Sequence, residues 1–171
     1  MGREPVLGDG IGGASMKHLL ALLSLTTLTL AGPPMEAPQG WERTVLAAVI
    51  VAEAGGEGVK GMEAVFEVIW MRGVERKRSL YAVVTQRKQF SCLNNTTPTK
   101  LVQKMSQHSR YKWVRDELLK FPPLTVHTCP EHLLPLNTTR ANHYHAKGVS
   151  PYWAKKQTPV VIGNHLFYRI K

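Results

Sequence analysis

Glu53 closes a run of apolar residues at helical spacing. On a helix turning about 100° per residue, with Val45 at zero, Val49 lies at about 40°, Glu53 at about 80° and Leu46 at about 100°. Glu53 therefore falls at the centre of the apolar face drawn by Val45, Leu46, Val49 and Ile50. A carboxyl group in that position is partly desolvated. Desolvation disfavours the charged form, the property a general acid needs to carry a proton near neutral pH. A frayed last turn would instead leave Glu53 in water. The Gly55-Gly56 pair that follows allows a sharp turn and a close approach by a ligand. Glu57, just beyond it, can be a second catalytic carboxylate or a helix-dipole partner for the helix it precedes.

A second set of chemistry-bearing residues lies near the C-terminus. His143, His145 and His165 are of a type that binds zinc. A His-x-His pair on a strand also reaches one face by simple alternation, and no aspartate or cysteine stands close by to complete a metal set. The same histidines, with Tyr144, Tyr152, Trp153, Phe167 and Tyr168, make a group of flat, hydrogen-bonding rings. Such rings suit sugars, and they equally suit a core with a wet edge. Cys92 and Cys129 could pair in an oxidising compartment if their Cα atoms lie within about 7 Å.

The elements that must position these groups can be read from periodicity and punctuation. Glu42 to Ala54 reads as a helix stopped by Gly55-Gly56, and Gly58 to Arg72 as a second helix stopped by Gly73. Tyr81 to Thr85 is a short apolar piece of either type, and Asn94 to Pro98 a polar loop. Helical stretches follow at about Lys100 to Gln107 and Tyr111 to Phe121, the latter ended by Pro122-Pro123. Residues 122–142 read as loop. The tail from Pro159 to Ile170 reads as a β-hairpin, with Val160-Val161-Ile162 and His165 to Arg169 joined at Gly163-Asn164.

The 171-residue chain has the length of about one domain. Apolar residues at 43% and charged residues at 20% fit a globular chain. Two cysteines exclude a disulfide-dense scaffold and a cysteine-only zinc cage. No apolar run reaches the roughly 18 to 20 residues of a membrane span. Lys17-His18 followed by the Leu- and Thr-rich run Leu19 to Ala31 has the parts of a secretory signal starting at Met16. The chain thus divides into an upstream extension plus signal (1–32), a Pro-rich linker (33–41) and a single catalytic domain (42–171). Export implies a periplasmic, cell-wall or extracellular location, with no membrane insertion once the signal is removed.

The net charge of +10 calls for an anionic partner. It is unevenly spread. Residues 33–67 hold six acids and two bases, net −4, whereas residues 68–171 hold 18 bases and four acids, net +14. No helix-turn-helix, zinc-finger or RNP-type motif is present, and the basic residues are scattered, so nucleic acid is not the expected partner.

Three ordered stretches carry a resemblance. Val51-Ala52-Glu53-Ala54-Gly55-Gly56-Glu57 with Gly61-Met62-Glu63-Ala64-Val65, then Gln89-Phe90-Ser91, then His143-Tyr144-His145 with Val149-Ser150-Pro151-Tyr152-Trp153-Ala154 and Gly163-Asn164-His165-Leu166-Phe167-Tyr168, resemble the SleB/CwlJ-type cell wall hydrolases. Gly55 stands where that family usually has Arg, and Met71 where it has Asn before Arg72. The resemblance implies an α+β, mainly α, lysozyme-like small domain with a C-terminal β-hairpin, acting without a cofactor, as a monomer, on peptidoglycan. It puts the catalytic acid on Glu53 and implies lytic transglycosylation between N-acetylmuramic acid and N-acetylglucosamine. That route needs one carboxylate where ordinary glycoside hydrolysis uses two, and the only Asp after residue 32 is Asp116. Glu57, Gln89, Ser91, His143, Tyr144, His145, Trp153, His165 and Tyr168 are the candidate substrate-binding residues. Two other readings stay open: a metal-dependent amidase using His143, His145 and His165, and an inactive glycan-binding module.

Overall fold

The computed structural model describes residues 39–120 and 139–171. The signal and its upstream extension, the linker before residue 39 and Cys129 lie outside the described residues. Among those described, no helix is long and apolar enough to cross a membrane.

The first helix, α1 (Gln39–Ala54), is the axis of the fold. Every residue from Val45 to Val51 is buried, so α1 is covered all round and not along one stripe. The short side chains Ala47 and Ala48 let neighbours approach on the sides away from the Val45, Leu46, Val49 and Ile50 face. Helices α2 (Gly58–Arg76), α3 (Leu80–Val84), α4 (Pro98–Met105) and α5 (Tyr111–Leu119) all pack against it. A helix apolar on all sides is one enclosed by others. It begins earlier than expected, taking in Gln39 to Trp41, which composition had assigned to the linker.

Helix α2 passes straight through Gly73, which is buried within it and does not stop it. Packing outweighs the cost of about 1 kcal/mol for a mid-helix glycine. The true stop is Lys77, in the left-handed conformation at φ 51°, with its N–H directed to the carbonyls of Gly73 and Val74. The ambiguous piece near residue 81 is α3, started by Ser79, whose side chain accepts from the Ala82 N–H. Helix α4 starts at Pro98, with Thr97 accepting from the Lys100 N–H. Proline is pre-set for the first helical position, and the preceding threonine supplies the cap.

The hairpin is present as β2 (Val160–Ile162) and β3 (His165–Tyr168), and a third strand joins it. Strand β1 (His143–Ala146) pairs antiparallel with β3, giving the order β1-β3-β2 with Tyr144 opposite Phe167 and His143 opposite Tyr168. The architecture is α+β and mainly helical, with a small C-terminal antiparallel sheet. The segment before β1 is fastened to α2 by a buried carboxylate. Glu67, 3% exposed, accepts from the Thr139 N–H at 3.1 Å, the Thr139 hydroxyl at 2.7 Å and the Arg140 N–H at 2.6 Å.

Candidate active site

The end of α1, the Gln89-Phe90-Ser91 stretch and β1 meet at Glu53. Its carboxylate is half-buried and accepts three hydrogen bonds. Oε1 receives the Ser91 hydroxyl and the Cys92 backbone N–H, both at 3.0 Å. Oε2 receives the Tyr144 hydroxyl at 2.9 Å. Each residue of the Gln-Phe-Ser stretch has a separate job. Gln89 is held by Arg76 through its side-chain oxygen at 3.0 Å. Phe90 is buried under the Arg72 guanidinium, 5.5 Å from the ring centroid. Ser91 then opens a short 3-10 turn (Ser91–Leu93) whose first donors meet Glu53.

Electrostatics keep these donors as donors. Burial, and then the negative charge of Glu53, push the Tyr144 hydroxyl well above its ordinary range. The Cys92 thiol is pushed up for the same two reasons. Both groups are therefore neutral at physiological pH, and Cys92 is no nucleophile. Arg72, 6% exposed, donates from Nε to the Asn142 carbonyl at 2.7 Å. Burial lowers its proton affinity, opposed chiefly by Tyr144. Arg72 thus ties α2 to the start of β1, the strand that carries Tyr144.

Glu57 stands at the N-cap position of α2 but makes no side-chain cap. Its carboxylate turns to the hairpin instead. Oε2 accepts the Asn164 N–H at 2.6 Å, and Oε1 lies 3.4 Å from His165 Nδ1, an ion-pair distance without hydrogen-bond geometry. Gly163, at φ 55°, makes this possible, because a Cβ there would overlap the Glu57 carboxylate. Glu57 therefore clamps the β2–β3 turn to the start of α2. Neither Gly55 nor Gly56 adopts a positive φ; Gly58 does, at 79°. The role of Gly55 is space. A Cβ on it would lie 3.2 Å from Cε1 of His108, a ring that the sequence reading did not single out.

The sheet sorts the remaining candidates by face. Tyr144, His165 and Phe167 point inward, toward Glu53 and Glu57. Tyr144 stacks on Phe167 with centroids 5.5 Å apart and meets His165 edge-on at 5.5 Å. His143, His145 and Tyr168 occupy the opposite face with Trp153, whose ring contacts all three at 5.1 to 5.6 Å. His145 Nδ1 donates to the Ala146 carbonyl at 2.8 Å, which leaves Nε2 to accept from the Tyr168 hydroxyl at 2.9 Å. His143 Nδ1 is paired with Asn142 Oδ1 at 2.9 Å, and burial lowers the ring's proton affinity, with Arg72 and Arg76 acting in the same direction.

Two expectations change as a result. The three histidines of the amidase reading do not converge, because His165 lies across the sheet from His143 and His145. The second ring cluster packs on the face opposite to that of Tyr144, so His143, His145, Trp153 and Tyr168 are not brought to Glu53. Alternation along β1, one residue per face, is the physical reason for both.

The described domain is thus mainly helical, with a triply hydrogen-bonded carboxylate at the end of its central helix. The model of the Cell Wall Hydrolase family matches residues 56–168, and the chain belongs to that family. It is a hydrolase that acts on the cell wall. Glu53 lies just upstream of the matched segment, whereas Ser91, Cys92 and Tyr144, its three partners, lie within it. No curated protein and no solved structure matches the chain.

Proposed function

We propose that the protein cleaves the glycan strand of peptidoglycan between N-acetylmuramic acid and N-acetylglucosamine, with Glu53 as its single general acid/base. The observation that carries this reading is the convergence of Ser91, Cys92 and Tyr144 on one carboxylate from stretches far apart in the chain. Oε1 already accepts two donors, so Oε2, which accepts only from Tyr144, is the oxygen that delivers the proton to the leaving group. Glu53 passes that proton to the glycosidic oxygen as the bond from the muramoyl C1 to that oxygen breaks. The resulting carboxylate then removes the proton of the muramoyl 6-hydroxyl, whose oxygen closes on C1. The product is a 1,6-anhydro ring, and Glu53 regains its proton. Glu57 is engaged by Asn164 and His165 and serves the hairpin, which favours the route that needs one carboxylate over the two-carboxylate route of ordinary hydrolysis.

The enzyme in this reading is exported by the signal that starts at Met16. The test is Glu53→Gln. That variant should fold as the parent does and release soluble fragments from sacculi at least about 100-fold more slowly, as loss of a general acid does. Activity close to that of the parent would refute the assignment.

A further inference from the structure

A groove of about 610 Å³, with no strand residue in its lining, opens at Ser91 and Cys92. Gly56 lines one wall and α4 the other, and Ser91 and Cys92 form the boundary shared with Glu53. Three basic side chains face into it: Lys100, Lys104 and His108. Among the described residues, no Asp or Glu lines it. Lys100 and Lys104 are exposed and one turn apart on α4, and the ion pairs found among the described residues lie elsewhere. Like charges at this spacing repel and weaken their own helix, so a bound anion would relieve a cost built into α4. His108 is fixed as well. Its Nδ1 accepts the Arg110 N–H at 3.2 Å, which leaves Nε2–H as the donor, beside Gly55 at the α1 end of the groove.

We propose that this groove holds the acidic peptide borne by the muramoyl residue, with Lys100 and Lys104 facing its carboxylates and His108 donating from Nε2. The inference rests on the glycan-cleaving reading of Glu53. In that reading the bond cut is the muramoyl residue's own, so a peptide on that sugar has to leave the site within one sugar ring of Glu53. The groove that begins at Ser91 and Cys92 starts there. It carries the charge opposite to that of a carboxylate-bearing peptide, and electrostatic complementarity of this kind fixes register as well as affinity.

The test is a binding measurement on the full chain carrying Glu53→Gln, so that ligands stay intact. The probes are soluble tetrasaccharide fragments of the glycan with their peptides and the same fragments with the peptides removed. The peptide-bearing probe should bind about ten-fold more tightly, the gain that two exposed charge pairs give together. Adding K100Q and K104Q should close that gap, adding K100R and K104R should preserve it, and raised salt should narrow it. Equal binding of the two probes, or a gap that survives K100Q and K104Q, would overturn the peptide groove. Binding of the peptide-free probe reports the glycan reading separately; if that probe fails to bind any form of the chain, the glycan reading fails and this inference fails with it.

Discussion

At the scale of single residues, the site is a carboxylate and its three donors. A hydrogen bond to a charged group is worth about 1.5 to 3 kcal/mol, so Tyr144→Phe should lower kcat roughly ten-fold or more while the chain stays folded, as steady-state assays on soluble glycan fragments would show. Cys92→Ala should be milder, because the donor that Cys92 gives to Glu53 is its backbone N–H. Glu53 and Tyr144 were legible from residue type and motif. The Cys92 N–H was not, since every residue but proline has one and only the 3-10 turn aims it. His108 was invisible for a related reason. Nothing in sequence joins it to Gly55, and the contact exists because α4 and α5 bring their connecting segment onto the end of α1. Glu53 does not end a single apolar stripe, because α1 is buried on all sides from Val45 to Val51; it is half-buried near the C-terminal end of that helix.

At the scale of elements, two buried or half-buried glutamates hold the sheet against the helices. Glu67→Ala would strip three donors of their acceptor. It should destabilise the fold by about 3 kcal/mol or more, measured by urea unfolding, because uncompensated buried donors to a lost charge are costly. Activity should fall with it, since the fastened segment leads into Tyr144. Gly163→Ala should cost more than about 1 kcal/mol, because the residue has a left-handed backbone and no room beside Glu57. The hairpin turn was plain in the sequence, as Gly-Asn between β-prone runs. The third strand was not, because His143-Tyr144-His145 earns its place only by pairing with β3. Helix ends shifted where tertiary packing or a left-handed residue outweighed a local stop signal, as at Gly73 and Lys77.

At the scale of the whole molecule, charge and burial set the working conditions. Tyr144 and Cys92 have raised proton affinities in the fold, so the folded state keeps their protons after the unfolded chain begins to lose them. Their stabilising effect is complete below the ordinary values, 10.0 for Tyr144 and 9.0 for Cys92, and is lost as pH rises beyond them. His143 is shifted the other way, and its effect is lost as pH falls below its ordinary 6.5. Thermal unfolding followed against pH should therefore show stability declining on both sides, with Cys92→Ala flattening the alkaline limb. The +10 net charge is carried by the chain after residue 67, so binding to sacculi should weaken as salt is raised through about 0.15 M, where exposed charges are screened beyond about 8 Å. The central claim, a single carboxylate acting as acid and then base, is tested most directly by mass spectrometry of the fragments released from purified sacculi by the parent and by Glu53→Gln. The parent should release muropeptides one water lighter than hydrolysis products, ending in anhydromuramoyl rings, and Glu53→Gln should release essentially none; fragments with ordinary reducing ends, or undiminished release by the variant, would contradict the account.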